Sequence, residues 1–327
     1  MMRRLAVLAT GGTIASTNGA RGAMPTRGVA DLVRSAVAEH PIEVAVLEDV
    51  RQVLSYSMTP DDMWTVIDRA NQLVASGRAD AVVVTHGTAT LQETAYLADL
   101  TWRHEAPIVF TGAMRTADQE DSDGPRNVRD ALLVALADDA EGCGALVVAN
   151  GEVHDPRHVM KEHASGVHSF HSGTFGALGF VDDGQVLMHR YRRDRFTFEI
   201  EAPVTSVPLV KAYTGMDDAF IRQAHASGAT GIVIECFPGR GGLPPSLLPA
   251  VQSATAAGVP VVLAAPSEGR VSQNYGGPGA ARTFVQSGAI LAGDLHPAKA
   301  RLLLMVLLAS TDRAPRSIAE AMKRVAP

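Results

Sequence analysis

The chain has 327 residues, of which 46% are hydrophobic and 20% charged, and its formal net charge is -6 at pH 7. This composition is typical of a globular protein, and the lack of a basic excess argues against nucleic acid and anionic membrane surfaces as partners. We therefore expect a small-molecule ligand and, at this length, two domains.

The sequence shows no targeting or cysteine-based metal signal. Cys143 and Cys236 are far apart and have no zinc-type spacing, so we expect neither a disulfide framework nor a zinc site at the cysteines. The apolar run near the N-terminus is too short for a signal peptide, and the longest apolar run, residues 302–309, is too short to cross a bilayer. These features predict a cytoplasmic protein.

The first predicted element is a buried strand that ends on two glycines. Residues 5–9 form a continuous apolar run, which is typical of a strand buried on both faces of a parallel sheet. Thr10, Gly11, Gly12 and Thr13 follow at the carboxyl end of this strand, where such sheets bind ligands. Glycines there free main-chain N–H groups for a ligand, although an ordinary tight turn has the same pattern. The loop lacks the further residues of a dinucleotide or P-loop motif, so we do not expect a nucleotide.

Helices and strands then alternate along the first half of the chain. After a loop over residues 16–22, which we interpret as a mobile lid, the pattern predicts strands over 42–47, 81–84, 107–110 and 146–149, and helices over 31–39, 60–76, 91–100 and 126–137. Such alternation predicts a doubly wound parallel sheet. Residues 175–180 and 186–190, joined by Asp182, Asp183 and Gly184, predict a β-hairpin.

The composition becomes charged and aperiodic after the hairpin. We place a linker at residues 193–206, between an N-terminal domain of residues 1–192 and a C-terminal domain of residues 207–327. Beyond the linker, apolar runs alternate again with helical patterns. The predicted fold class is α/β, with a larger N-terminal domain built on a doubly wound parallel sheet and a smaller C-terminal α/β domain.

A second strand end repeats the arrangement of the first. Residues 81–84 are followed by Thr85, His86, Gly87 and Thr88, which brings another threonine to the same edge of the sheet. Threonine hydroxyls are weak nucleophiles that need a base, and a lysine with a lowered pKa is one such base. Lys161 lies in a polar stretch after a strand and is the candidate, although a surface lysine in a loop is the alternative.

A cluster of histidines offers a different chemistry. Five of them fall in a short span and could ligate a metal ion: His154, His158, His163, His168 and His171. Their spacing matches no zinc signature. We therefore expect solvated loop histidines and no metal site.

Several segments together resemble the bacterial-type asparaginase and glutaminase family. They are Thr10 to Ala15, Thr85 to Thr88 followed by Glu93-Thr94-Ala95, Thr111 to Arg115, the Asp123-Gly124-Pro125 turn, the lysine-bearing loop and residues 295–301. The similarity covers nearly the whole chain. It implies two α/β domains, a small-molecule amide substrate, no cofactor, and a homotetramer (a dimer of dimers) in which a neighbour's C-terminal domain completes each active site.

The resemblance also implies roles for single residues. Thr13 resembles the family's nucleophile, which attacks a side-chain amide to give an acyl-enzyme and ammonia. Thr88 and Lys161 resemble the threonine and lysine that activate the hydroxyl or the hydrolytic water. Ser55 falls where the family contacts the substrate α-carboxylate, and the Ala113 carbonyl falls where it accepts the leaving amide nitrogen. The substrate site would also include Gly12 and Gly87, whose loops carry the two threonines.

The sequence departs from the family where the substrate α-ammonium binds. The family has Asp directly after its second threonine, and this chain has Ala89. Where the C-terminal domain of the family offers Asn and Glu, this chain has Gly242 and Ala281. Because a buried ammonium without an anion is costly, we hypothesise an amide substrate with no free α-ammonium. The alternatives are that a nearby acid compensates and L-asparagine remains the substrate, or that Ala89 is an engineered change.

A further departure concerns the lid. The family often supplies a tyrosine there to assist the nucleophile, and residues 16–28 contain none. Tyr56, in the loop beside it, is our candidate replacement.

Two other functions remain open. A catalytically weak binding or sensing protein on the same fold is the alternative from a different class. The amidotransferase branch of the family, which supplies ammonia to a partner enzyme on tRNA, carries an additional N-terminal domain, and we do not favour it.

Overall fold

The structure is a computed structural model, and it describes residues 3–38, 42–191, 195–310 and 312–327. The chain divides into two compact units, Met1–Thr197 and Phe198–Pro327. Residues 193 and 194 of the predicted linker, and Glu39 at the end of the first predicted helix, lie outside the described residues. The exact limits of the domains and linker therefore stay a prediction.

The N-terminal unit contains the larger sheet. Its strands are β1 (Leu5–Gly11), β2 (Ser16–Thr17), β3 (Met24–Pro25), β4 (Val44–Val53), β5 (Ala81–Thr85), β6 (Ile108–Thr111), β7 (Ala145–Ala149), β8 (Glu152–His154), β9 (Met160–Lys161), β10 (Phe170–His171), β11 (Gly179–Asp182) and β12 (Gln185–Met188). Its helices are α1 (Val29–Ala36), α2 (Pro60–Ala75), α3 (Leu91–Thr101) and α4 (Gly124–Leu136).

Eight of these strands form one sheet in the order β12-β11-β8-β7-β6-β5-β1-β4. The five strands from β7 to β4 are parallel, as the alternating pattern predicts, and the residues of β1, β5, β6 and β7 are all buried. Leu5, Val7 and Ala9 pack in one core with residues of α1 and α4. The complete burial of β1 agrees with its position as an interior strand, between β5 and the edge strand β4.

The other end of the sheet is antiparallel, so the sheet as a whole is mixed. β8 pairs antiparallel with β7 and β11, and β11 pairs antiparallel with β12. The connection from β7 to β8 is Asn150-Gly151, and both residues have positive φ, 52° and 80°. A two-residue Asn-Gly turn joins antiparallel strands and is too short for a crossover. The predicted hairpin around Asp183 and Gly184 is present, but its strands are Gly179–Asp182 and Gln185–Met188, and Phe175, the first residue of the first predicted strand, lies in the 3-10 turn Gly173–Phe175.

The region predicted as a mobile lid contains regular structure. β2 and β3 pair antiparallel, with Ser16 opposite Pro25. α1 begins at Val29, two residues before the predicted start, because the Asp49 carboxylate accepts the Val29 N–H at 2.9 Å. β4 is longer than predicted and continues to Val53, which pairs with Gly11. The chain that follows β1 is therefore tied to its surroundings.

The C-terminal unit has its own parallel sheet, as the sequence predicts. Its strands, in sheet order, are β13 (Leu209–Lys211), β14 (Ile232–Glu235), β15 (Val261–Ala264) and β16 (Ile290–Leu291). Its helices are α5 (Ala219–Ala226), α6 (Leu248–Ala256), α7 (Ala281–Gln286), α8 (Pro297–Ser310) and α9 (Pro315–Val325). Among the residues that the structure describes, no helix is both long and apolar enough to span a membrane.

Candidate active site

The loops after β1 and β5 meet at the carboxyl edge of the large sheet. β1 has β4 on one side and β5 on the other, so these loops flank the point where the strand order reverses, which is where open α/β sheets bind ligands. Gly12 has φ 79°, and a Cβ there would lie 2.2 Å from the Cα of Gly87. Only glycines allow the two main chains to approach this closely.

A serine from a third loop locks this junction. Ser55 is 4% exposed, and its Oγ accepts the Ala89 N–H at 3.1 Å. The Thr90 hydroxyl donates to the Ser55 carbonyl at 3.0 Å. Since a Cβ on Gly87 would lie 2.5 Å from Ser55 Oγ, the serine also packs against the glycine loop. Ser55 thus holds the segment that carries Thr88.

The structure brings Thr88 and Lys161 together. Lys161 Nζ donates to Thr88 Oγ1 at 2.8 Å, although the residues are 73 positions apart in the chain. Thr88 is 6% exposed, and Lys161 lies half-buried on β9 rather than in a surface loop. Burial lowers the pKa of Lys161, because an ammonium is less well solvated there than in water. The lysine is therefore available as a neutral amine at a lower pH than usual.

Gln92 was not anticipated from the sequence. It is 9% exposed in the first turn of α3, and its Oε1 accepts the main-chain N–H of Lys161 at 2.6 Å. A polar side chain on the buried side of a helix, next to a candidate site, was the only signal in the sequence.

His86 lies in the segment from Thr85 to Thr88, and the sequence predicts no role for its side chain. It is fully buried, with Nδ1 at 2.8 Å from the Gly87 carbonyl and Nε2 at 3.0 Å from Thr94 Oγ1. A hydrogen bond to the carbonyl requires the proton on Nδ1, so Nε2 accepts from Thr94. Burial lowers the pKa of His86 to about 4. The imidazole is therefore neutral, and its hydrogen bond to the Gly87 carbonyl helps to hold the Gly87 loop in place.

The loop after β6 is fixed by an acid and an amide. The Asp123 carboxylate accepts the Met114 N–H at 3.0 Å, and Asn127 Nδ2 donates to the Gly112 carbonyl at 2.9 Å. Ala113 is 1% exposed between them. A Cβ on Gly112 would lie 3.1 Å from Thr88 Cγ2, so this loop contacts the threonine.

One predicted feature of the first loop is wrong. The Gly12 N–H does not face a ligand, because it donates to the Val53 carbonyl at 2.8 Å where β4 continues beside the loop. Among the described residues, the main-chain N–H groups of Thr13 and Thr88 have no acceptor within the protein. Those two groups, rather than that of Gly12, are free to bind a developing oxyanion.

The remaining predicted residues of this unit are partly or fully exposed. Thr13 is partly buried in the single 3-10 turn Thr13–Ala15, and Ala89 is exposed beside Thr88. The Tyr56 side chain is 74% exposed and makes no hydrogen bond to any other described residue. Nothing in this geometry connects Tyr56 to Thr13.

Gly242 and Ala281 lie in the C-terminal unit. Both line a groove of about 410 Å³ that also contains Arg240, Ser272 and Tyr275. Ala281 is 3% exposed and packs in the core of this unit, whereas a Cβ on Gly242 would meet no atom closer than 4.0 Å.

The histidine cluster is only partly solvated, which corrects the expectation of solvated loop histidines. His154 is 1% exposed on β8, with Nδ1 at 3.0 Å from Ser172 Oγ and Nε2 at 3.3 Å from Glu152. His168 contacts the same carboxylate at 3.2 Å and is exposed. Within the described ranges, no three His, Cys, Asp or Glu side chains are placed to hold a metal ion.

Two models of known protein families match the chain, one in each unit. A model of the asparaginase N-terminal domain matches residues 4–193, and a model of the glutaminase/asparaginase C-terminal domain matches residues 206–322. Together these models cover both units and confirm the resemblance drawn from the loop motifs.

Individual relatives agree with the family models. The chain is 39% identical to a probable L-asparaginase of Deinococcus radiodurans, over 93% of this chain and 92% of that one. It is 34% identical to an L-asparaginase of Bacillus licheniformis, over 95% and 97% of the two chains. The solved structure of a probable cytoplasmic L-asparaginase from Campylobacter jejuni is similar with a TM-score of 0.84 and 27% identity, covering 98% of this chain and 99% of that one. The chain therefore belongs to the asparaginase and glutaminase family.

Proposed function

We propose that this asparaginase-family hydrolase cleaves a carboxamide to a carboxylate and ammonia, with Thr13 as the nucleophile and Thr88 and Lys161 as its activating pair. The observation that supports this best is the 2.8 Å hydrogen bond between Lys161 Nζ and Thr88 Oγ1 at the mouth of the glycine loops. An amine with a lowered pKa beside a buried hydroxyl is suited to moving a proton during amide cleavage.

The proposed reaction has two halves. Thr13 Oγ1 attacks the amide carbon while its proton passes to the Thr88–Lys161 pair, and the resulting oxyanion is held by the N–H groups of Thr13 and Thr88. The C–N bond then breaks, the proton goes to the leaving nitrogen, and ammonia departs. A water molecule activated by the same pair attacks the acyl-enzyme, which releases the carboxylate and restores the Thr13 hydroxyl. The residues need no cofactor for these steps.

L-asparagine is the first substrate to test, because the relatives are named L-asparaginase. Those names favour L-asparagine over the substrate that the sequence predicted. One observation keeps the second candidate, an amide without a free α-ammonium. Ala89 presents a methyl group beside Thr88, where the family has the acid that binds the α-ammonium.

Ammonia release from L-asparagine, L-glutamine, N-acetyl-L-asparagine and succinamic acid tests the proposal. We expect Thr13→Ala and Lys161→Met to lose at least about a hundredfold in turnover of whichever amide is used. Thr65→Ala, an exposed threonine on α2, is the matched control and should keep full activity. No turnover of any of the four amides by the folded protein would favour the binding or sensing alternative.

Ala89→Asp decides between the two substrate candidates. If the substrate lacks an α-ammonium, the added carboxylate lowers kcat/KM for succinamic acid and raises it for L-asparagine, each by about tenfold. Wild-type turnover of L-asparagine that already exceeds that of the other amides by a large factor would leave L-asparagine as the substrate.

We also propose a homotetramer in which Gly242 and Ala281 of a neighbouring protomer complete each active site. The family resemblance supports this, and light scattering measures the assembly. Co-expression tests the shared site: Thr13→Ala and Gly242→Trp chains, inactive alone, should regain activity together, because a mixed pair contains one site with neither change. Mixed chains that stay inactive would contradict a shared site.

A cytoplasmic location is our proposal for the cell, supported by the name of the probable cytoplasmic L-asparaginase of Campylobacter jejuni. Cell fractionation with an activity assay tests it, and recovery of the activity in an extracytoplasmic fraction would overturn it.

A further inference from the structure

We propose that Gln92 is a positioning residue for Lys161, which ties the strand that carries the lysine to the helix that follows Thr88. This inference rests on the proposed function, since it concerns how the Thr88–Lys161 pair is held. The tie is direct: Gln92 Oε1 accepts the Lys161 main-chain N–H at 2.6 Å.

The hydrogen bonds between β9 and β10 are too few to fix the position of Lys161 relative to the large sheet. β9 and β10 form a separate sheet of two strands, in which only two residue pairs face each other, Lys161 with Phe170 and Met160 with His171. Thr88, by contrast, follows β5, which is an interior strand of the eight-stranded sheet. A small hairpin beside a large sheet needs contacts of its own to keep a fixed distance from it.

Gln92 provides such a contact close to the reacting pair. It lies four residues after Thr88 in the first turn of α3, and its side chain is 9% exposed. The helix therefore fixes Gln92 relative to Thr88, and the hydrogen bond fixes Lys161 relative to Gln92. Losing this bond would let the lysine side chain move away from the Thr88 hydroxyl.

The side chain is also neutral, which matters for a base. Burial lowers the pKa of Lys161. Ala89, which follows Thr88 in the chain, and Gln92, which is hydrogen-bonded to the Lys161 N–H, carry no charge. A glutamate at position 92 would keep an acceptor for the Lys161 N–H while adding a negative charge that favours the ammonium.

Two substitutions separate position from charge. In Gln92→Glu we expect the rising limb of the pH dependence of kcat to move to higher pH by about one unit, with turnover above the limb within about threefold of wild type. In Gln92→Leu, which has no acceptor, we expect kcat to fall about tenfold or more at every pH, with KM within about twofold. Gln252→Glu, the same charge change on the exposed face of α6, should change neither quantity.

The outcomes separate this inference from the proposed function. An unmoved limb in Gln92→Glu, or a wild-type kcat in a folded Gln92→Leu, overturns the role of Gln92. If Gln92→Leu does not fold, the position of the rising limb of kcat in Gln92→Glu alone decides the role of Gln92. Full activity of Lys161→Met would instead overturn the proposed function itself, whereas its loss together with normal Gln92 variants would overturn only the inference.

Discussion

The glycine loops of the two units meet very different surroundings. In the loops after β1, β5 and β6 of the N-terminal unit, a Cβ on Gly12, Gly87 or Gly112 would come within 2.2 to 2.5 Å of another atom. In the loops after β14 and β15 of the C-terminal unit, a Cβ on Gly239, Gly276 or Gly277 would meet nothing within 4 Å. Both sets of glycines lie in loops that follow parallel strands. The sequence pattern therefore does not distinguish the crowded glycines from the open ones.

The difference shows two uses of glycine at a sheet edge. The crowded glycines allow loops that carry Thr13, Thr88 and Ala113 to touch one another, so the reacting groups sit on a rigid base. The open glycines have empty space where a side chain would lie. The groove that contains Gly242 also contains an exposed arginine, Arg240. The loops of the proposed reaction thus make close main-chain contacts, whereas Gly239, Gly276 and Gly277 of the other unit have open space beside them.

The largest expected effect is at Gly12. In Gly12→Ala, a Cβ would lie 2.2 Å from the Gly87 main chain at a φ of 79°, so either the loops separate or the fold is strained. We expect the free energy of unfolding to fall by about 3 kcal/mol or more and amide turnover to be lost. Urea denaturation and ammonia release measure the two effects.

Gly276→Ala is the matched control for that experiment. Its φ is not positive and its surroundings are open, so the free energy of unfolding should stay within about 0.5 kcal/mol of wild type. Equal losses in the two variants would remove the distinction between crowded and open glycines.

The next largest effect concerns His86 and pH. The folded pKa is about 4 and the ordinary value is 6.5, so between these values the unfolded chain binds a proton that the folded one does not. The free energy of unfolding should therefore rise as the pH rises from about 4 to 6.5, by at most about 3 kcal/mol. Denaturation at pH 5 and 7.5 should show a smaller difference in His86→Gln than in wild type. The same pH dependence in both proteins would contradict a neutral, buried His86.

A smaller effect is expected at the partner of His86. Thr94→Val removes the hydroxyl that donates to Nε2, which should cost about 1 kcal/mol and reduce turnover through the Gly87 loop. Thr65→Val is the control, because the Thr65 hydroxyl donates to a carbonyl four residues earlier in its own helix and contacts no histidine. Equal changes in stability and turnover in the two variants would show that Thr94 acts only within its helix.

The smallest effect on stability is expected in the open groove. In Gly242→Asn, the new side chain enters free space, so the free energy of unfolding should change by less than about 0.5 kcal/mol. If the groove serves a substrate with an α-ammonium, KM for that amide should fall about fivefold, as for one added hydrogen bond. A loss of stability as large as that of Gly12→Ala would mean that the groove is closed in solution.

Much of this fold follows from local patterns. Apolar runs such as residues 5–9 identify the buried strands, and Thr59 and Pro60 mark the start of α2, where Thr59 forms a capping box with Asp62. The Asn150-Gly151 turn, and with it the antiparallel end of the sheet, is not among the sequence predictions. An Asn-Gly pair that follows an apolar run is nevertheless a local hairpin signal, because these residues adopt the positive φ angles of a tight turn easily.

Contacts between distant segments were not readable. No local pattern distinguishes Lys161 from a surface lysine, since its burial depends on a two-residue strand and on a hydrogen bond to Gln92, 69 positions earlier. His86 shows the same limit: its neutral state follows from complete burial under the Gly87 loop, and burial is a property of the packed chain.

The sequence by itself determined which groups are present: two threonines after glycine turns, a lysine in a polar stretch, and an alanine where the family has an acid. It determined these because residue type and turn chemistry are local properties. The tertiary structure decided what those groups can do, because it brings Lys161 Nζ to 2.8 Å from Thr88 Oγ1 across 73 residues of chain. A distance of this kind results from long-range packing, and packing also sets the pKa of the lysine.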